Sequence, residues 1–490
     1  MNWTDLHTRL ASEGLLMDPA APALDLTVTG VSQDSRHVHP GYVFTAVQGT
    51  QFDGHAYIQN ALDAGAYIIV CQEKPGQDPR FVQVSNTRKA AAVIAATFYG
   101  DPAASLHLTG VTGTNGKTTT GALVQHVLEC TGTMTGLIGT VSYVTGQTTY
   151  PAQLTTPDAT QLQPMLAEMV RAGCQACVIE VSSHALDQYR TATLNFSVGI
   201  FTNLMHDHLD YHTTAEQYLK SKKRFFDDLS PDAVAVYNQD DQAGRRMVEN
   251  TQATQCSFGQ YTDADIRFSI VKDSPNGLQL RLDGQTSTFR LAGTFNAYNL
   301  AAAYGAARAS GLPRTDVIEA LSEARPVPGR FEQYLCDDAT RIVVDFAHTP
   351  DALEQVLRSL AHARQKTERL WCVFGCGGNR DTMKRPLMGA VAEELADHVV
   401  ITNDNPRTEP AQAIAEDILR GMKKPERAHL ILSRTEAVQH VAQACSAGDI
   451  VLVAGRGHES AQDKNGVQVK LKDQDLVLEA FASRNPKPLV

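Results

Sequence analysis

The residues best equipped for chemistry sit in one run, Thr109-Gly110-Val111-Thr112-Gly113-Thr114-Asn115-Gly116-Lys117-Thr118-Thr119-Thr120. Leu106, Leu108 and Val111 alternate as in a strand. Glycines then break the pattern, and it resumes as a helix with Leu123, Val124, Val127 and Leu128 on one face. Between strand and helix, backbone amides freed of side-chain bulk can point at phosphate oxygens. The helix N-terminus adds partial positive charge, Lys117 adds a full one, and Thr118 is placed to ligate Mg2+. The common Gly-x-x-x-x-Gly-Lys-Ser/Thr form wants glycine where this chain has Val111, so a shorter Gly-Thr-Asn-Gly-Lys-Thr core remains. The spacing predicts a site for a nucleoside triphosphate with Mg2+.

Further candidates follow along the chain. Cys177-Val178-Ile179-Glu180 reads as a buried strand delivering Glu180 at its end, where an acid can bind Mg2+ directly or through water. Three histidines and two aspartates crowd His206-Asp207-His208-Leu209-Asp210-Tyr211-His212. The run begins like a binuclear hydrolase motif, but position 211 is Tyr and the next His is 212, so one His serving as an auxiliary Mg2+ ligand is preferred. Tyr218 to Phe226, with Lys220, Lys222, Lys223 and Arg224, reads as a basic helix face. Asn296 is placed either to bond a purine or to cap the helix it opens.

Toward the C-terminus, four strand candidates each end in a polar or glycine-rich loop: Asp345 to His348, Gly375 to Asp381, Asp404 to Arg407 and Gly455 to Glu459. Ligands of open α/β sheets bind outside such ends, so the four loops are expected to share one cleft. Arg380 and Arg407 can each grip a carboxylate in a bidentate fork, and Asp404, Asn405 and Glu459 can receive an ammonium. Both kinds of group together suit a zwitterion.

The elements that must position these residues divide the chain. At 490 residues it exceeds what one core usually organises. Residues 1–103 carry short β-like runs, and Asp101-Pro102 makes a boundary. Residues 104–332 hold the phosphate loop, and 333–490 alternate strands and helices as a doubly wound, mostly parallel sheet does. The fold class is therefore α/β in three domains. A net charge of -11 argues against a nucleic-acid partner. Asp5 and Glu13 in a start without a long apolar core argue against a signal peptide or membrane anchor. Nine scattered cysteines fit a reducing cytoplasm, with Cys174 and Cys177 as buried thiols.

The ordered set of motifs closely resembles the Mur ligases, and among them the MurE type, over nearly the whole chain. Asp34-Ser35-Arg36 with Asp53-Gly54-His55, the phosphate loop, Glu180 to His184, Asn203 to His212, Phe295-Asn296, Gly329-Arg330 and the four C-terminal loops carry the resemblance. It implies ATP-dependent addition of meso-2,6-diaminopimelate to the D-glutamate side chain of UDP-N-acetylmuramoyl-L-alanyl-D-glutamate, in peptidoglycan precursor synthesis.

It implies three domains: a mixed α/β UDP-binding unit, a P-loop ATPase-like unit and a Rossmann-like unit. ATP would lie on Gly113, Thr114, Asn115, Gly116, Lys117, Thr118 and Thr119, with Asn296, Arg330 and Asp345 at base, phosphate and ribose. Ser35, Thr50, Gln51 and Phe52 would hold the UDP end of the other substrate, and Thr155, Thr156, Ser182, Gln188 and Arg190 its muramoyl-dipeptide. Thr118 and Glu180 would hold one Mg2+; Glu180, His208 and a carbamylated Lys222 a second, with Lys117 beside them as the catalytic cation. Lys222 follows by match to a Tyr-x-x-Ala-Lys-x-x-Leu-Phe pattern in which this chain has Ser221 and Phe225.

Arg380, Asp404, Asn405, Arg407, Gly455 and Glu459 would form the amino-acid pocket, and Arg456 stands where the family usually has Lys. A cytoplasmic monomer is expected. A lysine-adding relative would leave Arg407 unpaired, a polyglutamate ligase would not need the Asp34-Ser35-Arg36 domain, and a non-catalytic nucleotide binder would not need Lys117, Glu180, His208 and Lys222 together.

Overall fold

The computed structural model describes residues 1–18, 24–49, 52–205, 207–261 and 263–489. Three separate sheets organise it, with a small hairpin as a fourth.

The first sheet pairs Gly30–Ser32, Tyr42–Thr45, Ile68–Cys71 and Phe81–Gln83 in parallel, in chain order. Strand side chains alternate between faces, so Val43, Ile68 and Val70 meet the helices Trp3–Ser12 and Thr87–Phe98. Phe44, Ile69 and Cys71 point the other way, onto Ile58 and Ala61.

The second sheet has eleven strands within residues 107–289. Its strand His107–Thr112 lies between Val198–Phe201 and Ala176–Glu180, parallel to both, with Val111 opposite Glu180. That register brings the phosphate loop and Glu180 to the same edge. The helix Lys117–Cys130 then buries Leu123, Val124, Val127 and Leu128, the face its 3.6-residue period predicts. Two glycines allow the loop's turn. Gly113 has φ 148° and a Cβ there would meet Thr202 Oγ1 at 1.9 Å; Gly116 has φ 86° and a Cβ there would meet Asn299 Oδ1 at 2.4 Å.

The third sheet contains His429–Leu430, His398–Ile401, Leu370–Phe374, Ile450–Ala454 and Arg341–Asp345 in parallel, closed at one edge by antiparallel Glu332–Leu335 and Lys487–Pro488. The helices Pro350–Ala363, Lys384–Leu395 and Ala411–Leu419 cover one face. Arg434–Ala444 and Asp473–Ala480 cover the other, which is double winding. Among the described residues, no helix is long and apolar enough to cross a membrane.

Candidate active site

Glu180 ends its strand buried to 1 % exposure, and its carboxylate is fully engaged. Thr118 Oγ1 donates to it at 3.0 Å, Thr140 donates through both backbone N–H and Oγ1 at 2.9 Å, and Gly139 has no side chain because a Cβ would meet Glu180 Oε1 at 2.4 Å. Arg330 Nη2 donates to Thr118 Oγ1 at 3.1 Å. Asn203 clamps the loop from its far side: Asn115 N donates to Asn203 Oδ1 at 2.9 Å and Asn203 Nδ2 to Asn115 O at 3.1 Å. Hydroxyl and carboxylate oxygens side by side are the donor set that hard cations such as Mg2+ prefer. Among the described residues, no three His, Cys, Asp or Glu side chains converge as a metal site by themselves.

Lys117 Nζ donates to the carbonyls of Gly113 and Thr114 at 2.9 and 2.8 Å. Lys222, on the helix Ala215–Asp227, enters from the opposite side and donates to Gly113 O at 2.8 Å. Burial lowers the affinity of both amines for a proton, that of Lys222 well below its ordinary value, with the charge of Lys117 acting in the same direction. The other two lysines of the run face elsewhere: Lys220 is exposed and Lys223 pairs with Asp227 at 2.6 Å. The basic-face reading therefore fails at Lys222, whose ammonium end lies over the ring of Tyr218, 4.7 Å from its centroid.

His208 has φ 54°, a backbone conformation uncommon outside glycine. Its ring lies 4.8 Å from that of His184 and its Nε2 3.4 Å from Asp207 Oδ2. Burial, with Lys117 and Lys222 nearby, holds His208 neutral, the form that ligates metals. His206 lies outside the described residues.

Arg330 bridges two sheets. While its Nη2 bonds Thr118, its guanidinium stacks on Phe346, 4.3 Å from the ring centroid. Asp345 holds the adjoining turn by accepting from Phe331 N and Ala347 N, both at 2.7 Å, and burial pushes its carboxyl up to about 6. Asn296 lies inside the helix Thr294–Ala309 and does not cap it: Nδ2 donates to Ala292 O, and Oδ1 accepts from Asn299.

The four C-terminal loops do meet. Gly377 lies against both arginines, since a Cβ there would meet Arg407 Nη1 at 3.0 Å and Arg380 Cγ at 3.7 Å. Arg407 has φ 51° and donates to Gly378 O at 2.6 Å. Asp404 is 8 % exposed and its Oδ2 has no hydrogen-bond partner among the described residues; Gly455 leaves room for it, a Cβ there falling 2.5 Å away. Asn405 departs from the sequence expectation. Its Oδ1 already accepts from Asp463 N at 2.9 Å and Arg456 Nη1 at 3.2 Å, and its Nδ2 donates to Glu459 Oε2 at 2.7 Å. The amide therefore orients Glu459, and of the three side chains Asp404 and Glu459 keep carboxylate oxygens able to accept from an ammonium.

Three family models match the chain: Mur ligase family, catalytic domain over residues 27–99; Mur ligase middle domain over 111–307; and Mur ligase, glutamate ligase domain over 329–457. A Cytophaga hutchinsonii protein named UDP-N-acetylmuramoyl-L-alanyl-D-glutamate--2,6-diaminopimelate ligase is 42 % identical, over 93 % of this chain and 95 % of its own. The chain belongs to the Mur ligase family. A Parabacteroides distasonis relative of the same name is 42 % identical over 96 % of this Mur ligase and 98 % of its own length. A solved structure of a ligase with that name superimposes with a TM-score of 0.67 at 32 % identity, covering 99 % of both chains. The MurF ligase from Thermotoga maritima in complex with ADP shares the fold, with a TM-score of 0.65 at 22 % identity, covering 94 % of this chain and 99 % of its own.

The residues expected to face the muramoyl-dipeptide gather beside Glu180 in this Mur ligase. Thr155 Oγ1 lies 3.1 Å from Thr140 Oγ1, Thr156 Oγ1 donates to Glu180 O at 2.6 Å, and Ser182 N donates back to Thr156 Oγ1. Arg190 donates to Thr156 O and to Gln188 Oε1 at 2.6 and 2.7 Å. Ser35 opens a short 3-10 turn capped by Asp34, which also pairs with Arg36 at 2.6 Å. Phe52 is 69 % exposed; Thr50 and Gln51 lie outside the described residues.

Sequence reasoning passed over Thr140 and the hairpin Ala461–Lys464/Val467–Lys470, which carries Asp463. Gly139-Thr140 after an apolar run was the available signal for the first. In the hairpin Val467 and Val469 alternate with Gln468 and Lys470 but stay exposed, so the pattern points to no site.

Proposed function

We propose that this Mur ligase joins meso-2,6-diaminopimelate to the D-glutamate side-chain carboxylate of UDP-N-acetylmuramoyl-L-Ala-D-Glu at the expense of ATP. One observation carries the reading: Arg380 and Arg407 flank Gly377 while an unpartnered, buried Asp404 Oδ2 and Glu459 lie across the same loops. Carboxylate-gripping and ammonium-receiving groups in one cleft match an amino acid charged at its far end in both senses. The relatives' shared name supports the same substrates.

On this reading ATP lies along residues 113–119, with Asn296, Arg330 and Asp345 around it. The substrate carboxylate attacks the γ-phosphorus in line, ADP leaves, and Lys117 and Arg330 offset the charge on the transferring group. The amine of diaminopimelate then attacks the acyl phosphate, and the tetrahedral intermediate collapses to amide and inorganic phosphate. Mg2+ held by Thr118 and Glu180, and by His208 with a carbamylated Lys222, would neutralise phosphate charge. Thr140 fixes both oxygens of Glu180, and Arg330 links the Asp345–His348 loop, through Phe346, to Thr118; on this reading closure of residues 333–490 on 104–332 would exclude water. The UDP end belongs to residues 1–103 at Ser35 and the 50–52 loop. The enzyme works as a cytoplasmic monomer without nucleic acid, its cysteines free.

Phosphate release measured with each substrate omitted in turn tests this. Release should require ATP, the UDP-muramoyl-dipeptide and diaminopimelate together; release independent of the dipeptide would sink the ligase reading.

A further inference from the structure

Behind the amino-acid loops lies a buried charged cluster that the reaction itself does not use. Arg456 is completely buried. Its Nη1 donates to Asn405 Oδ1 at 3.2 Å and its Nη2 to Leu471 O at 2.8 Å. Asp473, equally buried, lies 3.9 Å from Arg456 Nε and accepts both fork nitrogens of Arg434 at 2.7 and 2.6 Å. Arg434 is in turn tied to Ala454 O at 2.9 Å. Two guanidinium groups thus share one carboxylate, and the remaining negative charge nearby is that of the pocket acids, with Glu459 Oε2 at 4.0 Å from Arg456 Nη1.

A side-chain amide has one acceptor end and one donor end, and which end faces a pocket decides what it can bind. Here the acceptor end of Asn405 is held from two sides, by Arg456 and by the backbone of Asp463. The donor end is therefore turned to Glu459. We propose that Arg456 is a positioning residue for amino-acid binding: its fork fixes the Asn405 amide, and the amide fixes the Glu459 carboxylate that receives the substrate ammonium. Two separate acceptors, Asn405 Oδ1 and Leu471 O, require the fork; a lysine is a point charge on a flexible stem and serves one of them at a time. The hairpin supports the same loop through Gln462, whose amide donates to the carbonyl of Asp404, and through Asp463 O, which accepts from Arg407 N at 3.1 Å.

The inference rests on the proposed amino-acid pocket, and its test separates the two. In steady-state assays Arg456→Lys should raise KM for diaminopimelate about tenfold while kcat and KM for ATP change by less than about twofold, as expected for lost uniform binding. Because Arg456 acts through Asn405, Arg456→Lys with Asn405→Ala should bind diaminopimelate no more weakly than Asn405→Ala alone. Fully multiplying effects, or an unchanged KM in Arg456→Lys, would overturn the proposal. A second readout needs no amino acid: with asparagine-selective 15N labelling, the Asn405 side-chain amide should exchange with solvent slowly in the wild type and faster in Arg456→Lys. Equal exchange rates would overturn the positioning role even if diaminopimelate proved to be the wrong substrate, a failure that the wild-type assay alone reveals.

Discussion

Lys117 and Lys222 donate to the same carbonyl oxygen, that of Gly113, at 2.9 and 2.8 Å. Two ammonium groups converging on one buried acceptor repel each other, and the burial of both sharpens the repulsion. The pair is stable if one member is uncharged. Lys222, driven well below its ordinary proton affinity by burial and by Lys117, is the member that gives up its proton more readily. A neutral amine is also what CO2 requires to form a carbamate, which turns the lysine into an anionic oxygen ligand for Mg2+.

Replacing Lys222 by Ala should lower kcat by at least about 100-fold, the scale of losing one preorganised charge at a phosphoryl site. Short carboxylates such as formate or acetate added to the assay should restore part of it. Full activity in the variant would show that Lys222 carries no carbamate.

Thr140→Val removes the hydroxyl that donates to Glu180 Oε2 at 2.9 Å and leaves the backbone donor in place. One lost hydrogen bond to a buried carboxylate costs about 1.5–3 kcal/mol of stability. Glu180 should then hold Mg2+ less firmly, so the Mg2+ concentration for half-maximal rate should rise several-fold. An unchanged Mg2+ dependence would remove Thr140 from the site.

Arg407 should matter to one substrate and not to another. Arg407→Ala should raise KM for diaminopimelate by about 10- to 100-fold, as loss of a bidentate carboxylate contact does, and leave any residual turnover of lysine unchanged. Parallel losses with both amino acids would mean that Arg407 only supports the loop through Gly378 O.

Asp345 sets a pH dependence. Burial raises its carboxyl from 3.8 to about 6, so between those values the folded protein binds more protons than the unfolded chain. Stability from the neutral carboxyl is full below the unfolded value and lost as pH rises through the folded one. The stability difference between wild type and Asp345→Asn should therefore shift against wild type by about 2 kcal/mol from pH 4 to pH 7, read by urea denaturation. A difference independent of pH would contradict the assignment.

Much of the frame is visible in the chain itself. The runs Leu370–Phe374 and Ile450–Val453 are apolar enough to be buried strands, and the structure has strands over Leu370–Phe374 and Ile450–Ala454. Double winding then puts their polar ends in one cleft, because parallel strands share a carboxyl edge. The orientation of Asn405 could not be read, since it depends on Arg456 and Asp463, each more than fifty residues away. Thr140 escaped for the same reason: its partner Glu180 is forty residues on, and no local pattern marks such a pair. Lys220, Lys222 and Lys223 look alike in sequence, and only the helix packing separates Lys222, which reaches Gly113 O, from buried Lys223, which pairs with Asp227, and from exposed Lys220.

The central claim is tested most directly by competition. The enzyme is given ATP, UDP-N-acetylmuramoyl-L-Ala-D-Glu and equal concentrations of meso-diaminopimelate and L-lysine, and the UDP-linked products are weighed by mass spectrometry. The mass of the diaminopimelate adduct should dominate, with one ADP formed per amide. A lysine adduct in equal or greater amount, or ADP without any new adduct, would contradict the account.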